Sequence, residues 1–201
     1  RSCVIPLPPA LNKLLDTGVL PDGTGDSGGY IGSIREREAM AENQFSVWDV
    51  DGDGREELIL LYTTTIVAGE RGFVYDWDEA TGELRKQLEE FPLLTFYDNG
   101  AVMAGWSHNQ GLAGDFWPYN VYQYNPETDE YEAVFSVDAW DRELADTDYD
   151  GNSYPADVDV NNDGIVFYIM PGGSYDTDHP VSLREYKSWY DSIHSGRSLR
   201  A

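Results

Sequence analysis

In this chain of 201 residues, 37 acidic side chains outnumber 13 Lys plus Arg and give a formal charge of −24, which argues against nucleic acid and anionic membrane surfaces as partners. Such charge with little apolar content would mean disorder, but 41% hydrophobic and 13% aromatic residues are enough for a core. No apolar run approaches the roughly 20 residues of a membrane-spanning helix.

The chain opens with linker-like composition: Pro6-Leu7-Pro8-Pro9, then Gly18 through Gly29 with Pro21, Gly23 and Gly25, interrupted by a short helix over Leu11 to Leu15. Residues 1–29 are therefore read as a tail, 30–196 as one globular domain and 197–201 as a second tail. Cys3 is the single cysteine, so an intrachain disulfide is excluded and a bound cation is the natural substitute for one in an exported protein. Cys3 is also a candidate lipid-attachment residue, although Arg1-Ser2 before it lack the small and apolar character expected there. Ile34, Ala39 and Met40 among Arg and Glu predict a short amphipathic helix, with Ser33 and Glu36 spaced as a capping box.

Between the apolar runs 45–48 and 58–62 stands Asp49-Val50-Asp51-Gly52-Asp53-Gly54-Arg55-Glu56-Glu57. Alternate aspartates put carboxylates on one side of a tight turn, Gly54 lets the backbone reverse, the Arg55 carbonyl can point inward and Glu57 adds a further oxygen. Ca²⁺ takes 6–8 oxygens at about 2.3–2.6 Å, whereas Mg²⁺ prefers a near-ideal octahedron and keeps water, so Ca²⁺ is the expected ion. A helix-loop-helix hand needs a bidentate acid at position twelve; that position is Leu60, and the acid lies at position nine, Glu57. β-Branched and aromatic flanks then predict strand, metal turn, strand. The competing reading is a solvated acidic hairpin turn. The spacing resembles the DxDxDGxxD/E loops of FG-GAP repeats, but no repeated array accompanies it, so a full propeller is not expected.

A meander follows. Residues 72–77 and 83–88 read as one hairpin, 93–97 and 101–104 as a second around Asn99-Gly100, and 120–124 and 131–135 as a third. In the connection between the last two, Trp106, Trp117 and Tyr119 have the composition of a glycan- or protein-contact surface, against the alternative that they fill the core. Gly105-Trp106-Ser107-His108-Asn109 falls one glycine short of a nucleophile elbow, and the residues after it make a poor helix, so a serine hydrolase using Ser107 is a minor alternative. His108, His179 and His194 have no ligand-like spacing.

Residues 138–145 suggest a short helix. Two partial versions of the acidic loop come next, with Asp146, Asp148 and Asp150 in one and Asp159, Asn161 and Asp163 in the other. They are candidates for a second calcium site, or are Asp/Asn/Gly turns that bind nothing; position nine of the later loop is Phe167, which removes the closing carboxylate. Residues 165–170 have strand composition. Ser182 and Glu185 then form a capping box that opens a terminal helix with Leu183, Tyr186, Trp189, Tyr190 and Ile193 on its apolar face, stopped by Gly196.

The sequence thus predicts an α+β domain, mainly an antiparallel β meander with short N- and C-terminal helices packed on it. The order of parts, from linker through DxDGDGxxEL hairpin and VYxYxxxTxxY hairpins to a DGIVFYI strand and an SxxEYxxW helix, resembles uncharacterised exported proteins and lipoproteins of gut Firmicutes. That resemblance implies an extracellular or cell-surface setting with calcium, and no activity. The leading expectation is a calcium-stabilised surface binding or adhesion module for a glycan or a surface protein; an accessory domain or enzyme acting on carbohydrate is the alternative.

Overall fold

A computed structural model describes residues 42–64, 67–109, 111–172, 174–194 and 198–199. The helices expected over 11–15 and from Ser33 lie outside these residues, as do Cys3 and Gly196. Within the described residues the protein is mainly β, with two antiparallel sheets and one α-helix, the α+β class that the alternation pattern predicts. Contacts divide the chain into two compact units, the first ending at Pro92 and the second running from Leu93 and also taking in Val50–Asp53.

The first sheet is a meander of β1 (Gln44–Trp48), β2 (Glu57–Tyr62), β3 (Arg71–Asp78) and β4 (Glu83–Glu90) in sequence order. Leu58, Leu60 and Tyr62 alternate along β2 and pack with Phe73, Tyr75 and Leu84 into one apolar cluster. Period-two patterning of this kind fixes register, because a one-residue slip would turn every side chain to the other face. β3 enters its turn at Asp78, whose Oδ1 accepts the backbone N–H of Ala80 at 2.8 Å, and the reversal is completed at Gly82 with φ of 70°.

The second sheet has seven strands: β5 (Leu94–Tyr97), β6 (Ala101–Gly105), β7 (Tyr119–Asn125), β8 (Glu130–Asp141), β9 (Ile165–Pro171), β10 (Pro180–Val181) and β11 (Ser198–Leu199). Their order is β10-β9-β8-β7-β6-β5-β11, so pairing on β5 reaches into residues that composition marks as a tail. Asn99-Gly100 makes the β5–β6 turn, with Gly100 at a φ of 76° that a side-chain-bearing residue rarely adopts.

The helix expected over 138–145 is not formed. β8 continues through Asp141, pairing Asp138 with Tyr168 and Trp140 with Val166 on β9, and a turn follows only at 142–144. A full ladder against β9, with Val137 and Ala139 buried, outweighs the weak helical preference of the segment.

Helix α1 (Leu183–Ile193) carries both halves of its capping box: Ser182 Oγ accepts the Glu185 N–H and Glu185 accepts the Ser182 N–H. Hydrogen bonds from the Ser182 side chain and then its backbone hold the Glu185 carboxyl below the usual carboxylate range. Tyr186, Trp189, Tyr190 and Ile193 cover Tyr119, Val121 and Val137 of the second sheet, and Tyr186 stacks on Phe167 with ring centroids 4.2 Å apart.

Candidate metal centre

The acidic loop joins β1 to β2, and the strands it joins are paired up to its edges: Trp48 lies opposite Glu57. Glu57 is therefore the first residue of β2, held by the ladder with no freedom to drift, and its side chain is fully buried. Gly52 and Gly54 adopt φ of 82° and 90°, left-handed conformations that reverse the chain twice within the loop. Val50 is buried, while Asp51 is 9% exposed.

This geometry brings three carboxylates together. One oxygen from each of Asp49, Asp51 and Glu57 lies within 4.8 Å of the other two. Oxygens that share a cation at about 2.4 Å are at most about 4.8 Å apart, so the spacing fits one hard ion at the centre. Two like charges about 5 Å apart repel by about 3 kcal/mol at an effective dielectric near 20, which a cation would reverse. Asp51 also accepts the Asp53 N–H through Oδ1 at 2.9 Å, the local bond that shapes the turn.

Of the residues that the spacing nominates, Asp53 is exposed and does not belong to the converging group. Arg55 directs its guanidinium to Asp76 on β3 at 3.1 Å, and Arg85 reaches the same carboxylate at 3.4 Å. Asp76 is buried and was missed by motif reading; its signal is a lone acid in the otherwise apolar run Phe73-Val74-Tyr75-Asp76-Trp77. Tyr124 was missed as well. Its hydroxyl donates to Asp129 at 2.8 Å and lies beside Asp51; burial first, then these two carboxylates, push its pKa well up, so it remains a donor.

The later loops distribute their acids differently. Asp148 accepts the backbone N–H groups of Asp150 and Asn152 at 3.0 and 2.7 Å and the Asn152 side-chain amide at 2.8 Å. The Asn152 side chain foremost holds its carboxyl below the ordinary range. Asp159 accepts the N–H groups of Asp163 and Gly164 at 3.1 and 3.0 Å; burial acts to raise its pKa, but these donors hold it low. Asn161 donates to Asp163, while Asp146 pairs with Arg142 at 3.3 Å. Asp150 is exposed. Among the described residues, none of these six joins a converging group of three metal-ligating side chains.

The aromatic candidates separate by burial. Tyr119 is core, 5% exposed with its hydroxyl 3.1 Å from that of Tyr186, so it is not a contact residue. Trp106 is half-buried and donates to Asn120. Trp117 is exposed, and its indole N–H is fixed on the Trp106 carbonyl at 2.7 Å. Ser107 Oγ lies 2.9 Å from Nδ1 of the adjacent His108, but residues 111–115 form bends and a turn where a nucleophile elbow requires a helix. His108 and His179 are exposed; His194 is half-buried against Tyr190. Among the described residues no helix is long and apolar enough to cross a membrane. No protein-family model, curated protein or solved structure matches this chain.

Proposed function

We propose that this protein is an exported, calcium-stabilised binding module whose β1–β2 loop holds Ca²⁺ as a structural ion, in the manner of FG-GAP-like hairpins. The observation that carries the reading is the convergence of Asp49, Asp51 and Glu57, with Glu57 buried at the first rung of a strand pair. A buried glutamate facing two aspartates is expensive without a cation and well placed with one. The proposed ligand set adds the Arg55 carbonyl and, with its exposed side chain turned inward on binding, Asp53.

An ion held this way has a mechanical task. It ties the end of β1 to the start of β2 through side chains, while contacts with a glycan or a surface protein fall to the second unit. Trp117 is the proposed contact residue, exposed yet fixed by the hydrogen bond from its indole N–H to the Trp106 carbonyl. The setting consistent with a −24 charge and calcium is the cell exterior.

Calorimetry on chelator-treated protein tests the metal. Ca²⁺ is expected to bind with Mg²⁺ competing poorly; no calcium binding at millimolar concentration sinks the reading. Melting with and without chelator, for the native protein and Asp51→Ala, tests the structural role. Equal calcium-induced shifts in the two would defeat it, and calcium-dependent turnover of a carbohydrate would move the assignment to an enzyme.

A further inference from the structure

The second unit holds a cavity of about 60 Å³ beside the β8–β9 ladder, lined by residues from β8, β9 and the segments around Asp148 and Tyr175. Room for a water requires roughly 10–15 Å³, so the space takes about four water-sized groups, the bulk of a small ligand head. Tyr149, Tyr168, Tyr175 and Trp140 are among its lining residues together with the acids Asp138, Asp148 and Asp150; no lysine, arginine or histidine is among the described residues that line it.

Asp138 is the unusual member. It is 4% exposed, set on β8 opposite Tyr168, with Oδ1 taking the Ala139 N–H at 2.8 Å and Oδ2 only a long bond of 3.4 Å from the Tyr175 hydroxyl. Burial raises its pKa, as for a carboxylate whose charge is under-compensated. A buried acid among aromatic faces attracts a cation twice, through the carboxylate and through the ring quadrupoles.

A bare metal ion does not suit the place, because Asp138, Asp148 and Asp150 do not bring their oxygens together as the loop acids do. A neutral sugar would use the rings but leave the acidic lining uncompensated. We propose that this cavity binds an organic ammonium group, such as the end of a lysine side chain or an alkylamine, with Asp138 as its counter-ion and Tyr168, Tyr175 and Trp140 as aromatic walls. The site is separate from the calcium loop, and its occupancy does not depend on that loop being a metal centre.

Chemical-shift titration of isotope-labelled protein in calcium-containing buffer tests it, with n-butylammonium chloride as probe and n-butanol, sodium chloride and methyl glucoside as comparators. The expected result is saturable movement of the Ala139 amide and the Trp140 indole N–H with butylammonium and none with the three comparators. Asp138→Asn should weaken binding by about tenfold or more, and Tyr175→Ala, which removes an exposed ring, by about threefold to tenfold. Should Asp138→Asn not fold, Tyr175→Ala decides alone. Non-saturating shifts spread over the acidic surface, an equal response to butanol, unchanged affinity in the folded variants, or saturation by the glucoside in place of the amine would each overturn the proposal.

Discussion

The loop at 49–57 and the loops at 146–164 begin with an alternation of aspartates that ends in glycine, with Asn161 in place of one aspartate in the third, and they differ at position nine. In all three that position turns inward: Glu57 is fully buried, Tyr154 is 8% exposed and Phe167 is 3% exposed. Tyr154 packs edge-on against Trp140, and Phe167 sits between Phe116 and Tyr186, so two loops close on aromatic core and one closes on a carboxylate. In each loop an aspartate accepts backbone N–H groups of its own turn: Asp51 from Asp53, Asp148 from Asp150 and Asn152, and Asp159 from Asp163 and Gly164. Among the described residues, only the loop with a carboxylate at position nine brings three acids together as a group that could hold a metal ion.

The harshest way to break this comparison is to write the first loop's residue into another. Phe167→Glu would lose an aromatic from a packed cluster and bury a charge there, so destabilisation of about 4 kcal/mol or more is expected, unrescued by calcium, as read by chemical denaturation. Recovery of stability in calcium, with one more ion bound, would show that position nine alone makes the site.

The reverse exchange is gentler. Glu57→Gln should remove most of the calcium-dependent stabilisation, which the proposed site would supply to the native protein at about 2.7 kcal/mol when free calcium stands 100-fold above Kd. In chelator the same variant should melt no lower than the native protein, because one of three mutually repelling charges is gone. Paired melting curves check both halves of the expectation, and a persistent calcium shift would remove Glu57 from the site.

The double substitution Asp148→Ala with Asp163→Ala sharpens the other side. Since Asp148 is engaged by its own loop's N–H groups and Asp163 by the Asn161 side-chain amide, calcium stoichiometry is expected to stay unchanged while the melting temperature falls equally with and without chelator. One fewer bound ion would assign a site to these loops.

The smallest effect is a pH dependence. Hydrogen bonds from Asn152 set the folded pKa of Asp148 below its unfolded value, so its contribution is complete above the ordinary aspartate range and fades as pH falls through the lower folded value. Asp148→Asn should flatten that part of the stability profile measured in chelator, and an unaltered acid limb would show that the carboxylate contributes nothing through these bonds.

Much of this fold is local in origin and therefore legible. Asn99-Gly100 states its turn because the backbone there needs positive φ, and Ser182 with Glu185 states a helix start because the first N–H groups lack partners in the helix. Residues 138–141 were not legible. Their strand exists only because β9 lies alongside to pair with it, and β9 comes more than twenty positions later. Asp76 escaped for the same reason, since its value depends on Arg55 arriving from the β1–β2 loop and Arg85 from β4.

The sequence by itself determined the antiparallel β character, the hairpin turns, the terminal helix and the place of the first acidic loop, all of which follow from spacing and turn chemistry over a few residues. Tertiary structure alone decided that Glu57 is buried beside Asp49 and Asp51, that Tyr119 is core while Trp117 is exposed, and that Asp138 faces a ring-lined cavity. The reason is physical: burial and the meeting of charges are properties of strand pairing and packing between distant segments, and no local pattern encodes which carboxylate water will be kept from.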